Sequence, residues 1–130
     1  MELYNLAETL ILENVNRSMI MDIMNQRRLA EISYDDEQDP GGEGKRWIEI
    51  VAYGKSRADN DVVRAYQVGG DTKTIQPGWK LFRVDRFLHF IKLGGTFDTP
   101  RDKFNPNGDK SMNDVYAMAN FNSNNNDNLA

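Results

Sequence analysis

The chain has no cysteine among its 130 residues and a single histidine. Disulfides and thiolate metal sites are therefore excluded, and a reducing compartment is the expectation. One histidine without cysteine also leaves a zinc site without enough ligands. A Ser-His-Asp triad would have to use His89, and no nucleophile-elbow pattern surrounds any serine. No apolar run approaches the roughly 20 residues that span a bilayer, and MELYNLAETL lacks the basic start and long apolar stretch of a signal peptide. No membrane association and a cytoplasmic location are expected. Positive charge is also scarce, since the net charge is −4, which argues against a strongly basic nucleic-acid binder.

That average hides a division. Residues 1–44 hold 3 basic and 10 acidic side chains, residues 45–92 hold 10 and 5, and residues 93–130 hold 3 and 5. A cationic middle section between acidic flanks is an electrostatic footprint for an anionic partner, unless the flanks neutralise it in the fold.

Hydrophobic spacing predicts the elements. Leu3, Leu6, Ala7, Leu10 and Ile11 recur at helical intervals over 3–13. A second short helix runs from about Arg17 to Gln26, with Ile20, Ile23 and Met24 on one face. Its methionines suit core packing, or an adaptable partner-binding face. After Arg28 the period becomes two. "LAEISY", "RWIEIVAYG", "VVRAYQV", "WKLFRV" and "FLHFIKL" read as five strands, separated by polar and Gly/Pro-rich turns. In the second, Ile48, Ile50 and Ala52 should share a face. Several short strands with turns between them suggest a small barrel or sandwich. Residues 93–121 read as an irregular connector followed by a C-terminal helix, on the stripe Met112, Val115, Tyr116 and Ala119. The polar run 122–130 is expected to be disordered.

Phe82-Arg83-Val84-Asp85-Arg86-Phe87 resembles the Phe-Arg-Leu-Asp-Arg-Ile signature of the WYL domain family. "RRLAEISY" resembles that family's first strand, and "VVRAY" stands in the place of its central strand. The name-giving Trp-Tyr-Leu positions are filled by Asp61, Val62 and Val63. The resemblance covers residues 27–91 and is nearest to compact phage-type members with a "PGWKLFR" stretch. It implies an α+β, mostly β fold: a five-stranded SH3-like (Sm-like) barrel over 27–92, with two N-terminal helices in 1–26 and one C-terminal helix. It also implies a non-enzymatic regulatory module that binds single-stranded nucleic acid or a nucleotide, in the host cytoplasm if phage-encoded. Only about 26 residues precede the first strand, too few for the winged helix-turn-helix of typical members. A sequence-specific repressor is therefore not expected.

The candidate binding residues follow from alternation. If Val63 and Ala65 point inward, Arg64 and Tyr66 point outward. If Phe82 and Val84 point inward, Arg83 points outward beside Trp79 and Leu81. Guanidiniums near rings can grip phosphates while the rings stack bases. Arg86 joins them as a candidate, although its place after Asp85 at a tight turn equally suits a strut. Lys45, Arg46, Lys55, Arg57 and Lys73 widen the basic surface, and Gly69-Gly70 before Asp71 offers a weak amide cradle. The acidic loop Asp35, Asp36, Glu37, Asp39 and Glu43 does not follow the EF-hand spacing. No cofactor, no metal and no catalysis are expected. The rival expectation is a phage-type structural module that binds a protein, or itself, through its terminal helices or sheet edges.

Overall fold

The computed structural model describes residues 17–35, 44–70 and 78–121. The expected helix at 3–13, most of the acidic loop, the 71–77 loop with Lys73 and the polar tail lie outside these residues. Residues 17–26 form a helix, α1. Its Ile20, Ile23 and Met24 are fully buried, so this face belongs to the core. Arg27 ends the helix in a left-handed conformation, φ +52°, with its N–H on the Met24 carbonyl at 3.1 Å.

Six antiparallel strands follow: β1 Arg28–Tyr34, β2 Lys45–Ser56, β3 Asp61–Gly70, β4 Gly78–Arg83, β5 Phe87–Thr96 and β6 Met112–Met118. They pair in the order β4-β3-β2-β1-β5, with β6 on β2. β2 is the spine. One edge pairs with β3 along most of its length, while the other meets β1 over Lys45–Glu49 and β6 over Ala52–Ser56. Isoleucines, tyrosines and valines at alternate positions bury one face against α1. Full burial of one such side chain contributes about 1.5–3 kcal/mol.

Three expectations are corrected. The sheet is open, not a five-stranded barrel. Backbone groups between β4 and β5 find partners elsewhere: Arg83 N–H donates to the Tyr34 hydroxyl at 2.8 Å, and Asp35 N–H donates to the Arg86 carbonyl at 2.9 Å. Between them Val84–Arg86 form a 3-10 turn closed by Phe87 N–H on the Val84 carbonyl. No ladder joins the two strands.

The C-terminal helix is also absent, because β6 occupies its place. Met112 and Val115 fit helical spacing, but the second half of β2 presents a free edge whose hydrogen bonds must be satisfied. Gly54 admits the approach, since a Cβ there would meet the Asp114 carbonyl and lie 2.8 Å from Met112 Sδ. Of the two expected N-terminal helices, α1 is the one helix among the described residues, and the other lies outside them.

Finally, Ala52 does not share a face with Ile50. The register shift between them turns Ala52 outward, opposite Arg64, into a small cluster with Val62 and Met112.

Candidate functional site

The outer face of β3 and β4 carries the predicted residues, and the ladder sets their order. Tyr66 stands opposite Trp79, Arg64 opposite Leu81, and Val62 opposite Arg83. The Tyr66 and Trp79 rings meet edge to face with centroids 5.3 Å apart. Arg64, Tyr66, Arg83 and Trp79 therefore share one face, as their alternation predicts.

Their charges are matched within the chain. The Arg64 fork donates to Asp109 through Nε at 2.7 Å and Nη2 at 3.1 Å, and Nη2 also reaches Ser111 Oγ at 3.0 Å. Arg83 grips Asp85, two residues on, at 3.1 and 2.7 Å. Arg86 is the last residue of the 3-10 turn, and its carbonyl accepts from Asp35 N–H. Burial pushes the Asp109 carboxyl up, but hydrogen bonds from Arg64 and Ser111 and the guanidinium charge outweigh this and hold it below its usual value.

The irregular segment 97–111 lies across this face as a strap. Its Arg101 donates to Glu49 at 3.1 and 2.9 Å, and its guanidinium sits 4.9 Å from the Tyr66 ring centroid. Trp79 Nε1–H donates to the Asp102 carbonyl at 2.9 Å. Asp109 completes the attachment through Arg64. Between strap and sheet is a cavity of about 270 Å³, walled by Arg64, Trp79, Lys103, Phe104, Asp109 and Lys110. Val51, Ala52 and Met118 form its apolar floor. Lys103 holds a left-handed backbone, φ +71°, a conformation that costs a non-glycine residue roughly 1–2 kcal/mol.

The cavity thus unites two of the predicted residues, Arg64 and Trp79, with Tyr66 at their side. Arg83 and Arg86 are not in its wall. Sequence reasoning missed Lys103, Phe104, Asp109 and Lys110, because "RDKFNPNGDK" reads as a plain connector. Its interleaving of cations with an aromatic ring was the available signal.

Other expected cations serve the fold. Arg46 is buried, with its guanidinium 5.9 Å and 5.7 Å from the Tyr34 and Phe82 centroids. Lys45 lies 3.8 Å from Glu31, and Lys55 lies 3.4 Å from Asp59. His89 Nε2 faces Glu31 Oε2 at 2.9 Å. Among the described residues no cluster of three or more histidine and acidic side chains could hold a metal ion, and no helix is long and apolar enough to cross a membrane. Comparison with protein-family models, with curated proteins and with solved structures finds no match.

Proposed function

We propose that this protein is a non-enzymatic binding module for a nucleotide-like anion, taken up between the 97–111 strap and the outer sheet face. The observation that carries the reading is the cavity wall. It combines three cations (Arg64, Lys103 and Lys110) and two large rings (Trp79 and Phe104) with a single carboxylate, Asp109. Ammonium groups on flexible stems suit a phosphate, and ring faces suit a base. Arg64 has its fork on Asp109 and orients the strap, leaving Lys103 and Lys110 to meet the charge. The likeness of residues 82–87 to the WYL signature points to the same ligand class and a regulatory role.

The test is calorimetric titration of the full chain with thymidine monophosphate at low salt. Saturable binding is expected, weakening as salt is added because phosphate contacts release counterions. Lys103→Ala with Lys110→Ala should lower affinity by roughly tenfold or more, about 1.4 kcal/mol. An absence of binding at low salt, or binding indifferent to both lysines, defeats the proposal.

A second reading, an interaction module, has one observation in its favour. β5 pairs with β1 alone among the described strands, and its Leu88 and Ile91 are 55% and 41% exposed. Such an edge invites another strand. Light scattering over a wide concentration range decides it, since a strict monomer throughout counts against self-pairing.

A further inference from the structure

The strap carries the one Asn-Gly pair in the chain, Asn107-Gly108. An asparagine side chain can be attacked by the main-chain nitrogen of the residue after it. Glycine hinders that attack least, because no Cβ shields the nitrogen and the backbone turns freely. The fold then decides whether the reaction is allowed, through how firmly it holds the side chain and the attacking amide. Here it holds neither. Asn107 is exposed, and its bond among the described residues is made by the main chain, whose N–H donates to Asn105 Oδ1 at 3.0 Å. Gly108 N–H reaches the Asn105 carbonyl at 3.5 Å, long for a backbone hydrogen bond. A Cβ built on Gly108 would meet nothing within 4 Å, so the space beside that nitrogen is open.

Glycine is kept here by its backbone and not by crowding, since its φ of +150° would strain any other residue. The Asn-Asp pairs 60–61 and 113–114 offer no comparable opening, because Asp61 and Asp114 lie within the β3 and β6 ladders. The place of Asn107 also matters. It stands between Asn105 and Gly108, which both line the cavity, and the strap puts Lys103 before it and Lys110 after it. Neighbouring ammonium charges favour a deprotonated amide nitrogen, which is the attacking form.

We infer that Asn107 is a site of spontaneous modification, and that its conversion to a carboxylate between Lys103 and Lys110 gives anion binding by the cavity a limited lifetime. The Gly108 nitrogen loses its proton to solvent and bonds to Asn107 Cγ. The Cγ–Nδ2 bond breaks, and that nitrogen takes up a proton and leaves as ammonia. Water then opens the cyclic imide. Opening between Cγ and the nitrogen gives aspartate, whereas opening at the main-chain carbonyl gives isoaspartate. Either route consumes one water, releases one ammonia and adds one negative charge. The cations of the wall, answered by Asp109 alone, then have a second carboxylate beside them. Isoaspartate also routes the main chain through the former side chain just ahead of Asp109, the residue that fastens the strap to Arg64. The effect on binding rests on the nucleotide reading above, and the modification does not.

The experiment ages the full chain in mildly alkaline buffer and follows it by ion-exchange chromatography and peptide mass mapping. A more acidic species is expected, with amide lost at Asn107 roughly tenfold faster or more than at any other asparagine of the described residues. Asn107→Gln, whose longer side chain closes the ring far more slowly, should keep its amide. No conversion at Asn107, or equal conversion at that position in Asn107→Gln, overturns the inference. Titration with thymidine monophosphate reads the consequence. The aged chain and Asn107→Asp should bind roughly threefold to fivefold more weakly than the fresh chain, the scale of one exposed charge. That gap should close as salt is added, and Asn107→Gln should keep the fresh affinity. Unchanged affinity in both the aged chain and Asn107→Asp overturns the control of the cavity. Failure of the fresh chain to bind thymidine monophosphate removes the cavity reading and that control together, and the mass map alone then decides the modification.

Discussion

Asp109→Ala is the substitution whose effect the geometry fixes most closely. The Asp109 side chain is 9% exposed, and it accepts from Arg64 at 2.7 and 3.1 Å and from Ser111 N–H at 2.8 Å. Removing one partner of a fully buried ion pair costs about 3–5 kcal/mol, and of an exposed one about 0–1 kcal/mol. This pair lies between, because Arg64 is 24% exposed and keeps Ser111 Oγ. A loss of about 2 kcal/mol is therefore expected, a fall in Tm of roughly 8 °C for a domain of this size. Thermal and urea unfolding followed by circular dichroism measure it. A cycle with Arg64→Met should return a coupling of about 1–2 kcal/mol.

The pH dependence has a definite sign. Since the folded carboxyl sits below its unfolded value, its contribution is complete above about pH 4 and is lost as pH falls through the lowered folded value. The stability difference between wild type and Asp109→Asn should therefore be flat at neutral pH and shrink only in acid. Asp109→Asn also leaves the Arg64 charge unopposed in the cavity wall, so anion affinity should rise by roughly tenfold. An alanine variant within about 0.5 kcal/mol of wild type, with no coupling to Arg64, would show that this pair does not hold the strap.

Gly54→Ala should cost about 1–3 kcal/mol, because the new methyl meets the Asp114 carbonyl and Met112 Sδ. Hydrogen exchange should show the β6 amides opening first, and protected β6 amides in that variant would contradict the close approach. Arg83→Ala should change stability by about 0.5 kcal/mol or less, since its pair with Asp85 is exposed at 36% and 60%. It should also leave nucleotide titrations unaltered, and any clear loss of affinity would place the site elsewhere. Lys103→Gly should relieve its positive φ and raise stability by up to about 1 kcal/mol, while weakening thymidine monophosphate. A drop in stability would mean that the Lys103 side chain packs more than it strains.

The strands β1 to β5 were legible because their apolar residues recur with period two between turn signals, most clearly in β3. In β3, Val63 and Ala65 are buried while Arg64 and Tyr66 are not, as period two requires. The pairing of Arg83 with Asp85 was not foreseen, although only two residues separate them, because Arg83 was expected to face a ligand and the strut was expected at Arg86. What else escaped depends on partners distant in sequence. Asp109 meets Arg64 across 45 residues, and Arg101 meets Glu49 across 52. No local pattern marks either carboxylate as taken. β6 was misread because Met112, Val115, Tyr116 and Ala119 satisfy helical spacing as well as a bulged strand does. Only the unfilled half of the β2 edge decides between them, and that is a property of the assembled sheet.

The division of labour among the cations follows from their chemistry. A guanidinium presents a rigid planar fork, and Arg64, Arg83 and Arg101 each close that fork on a carboxylate. Two of these pairs fasten the 97–111 strap to the sheet, so arginine here is chiefly a fastening. The lysines of the same strap are different. Among the described residues Lys103 and Lys110 meet no carboxylate within ion-pair distance, and both stand in the wall of the cavity that the strap encloses. An ammonium on a four-carbon stem can reach a ligand without first breaking a bond to the fold. Replacing Arg64 should therefore loosen the structure and disturb binding only through it. Replacing the two lysines by alanine, which keeps the strain of the positive φ at Lys103, should weaken binding with the unfolding midpoint unmoved. The opposite pattern, with stability lost at the lysines and affinity lost at Arg64 alone, would return the site to the arginine fork and leave the strap as mere cover.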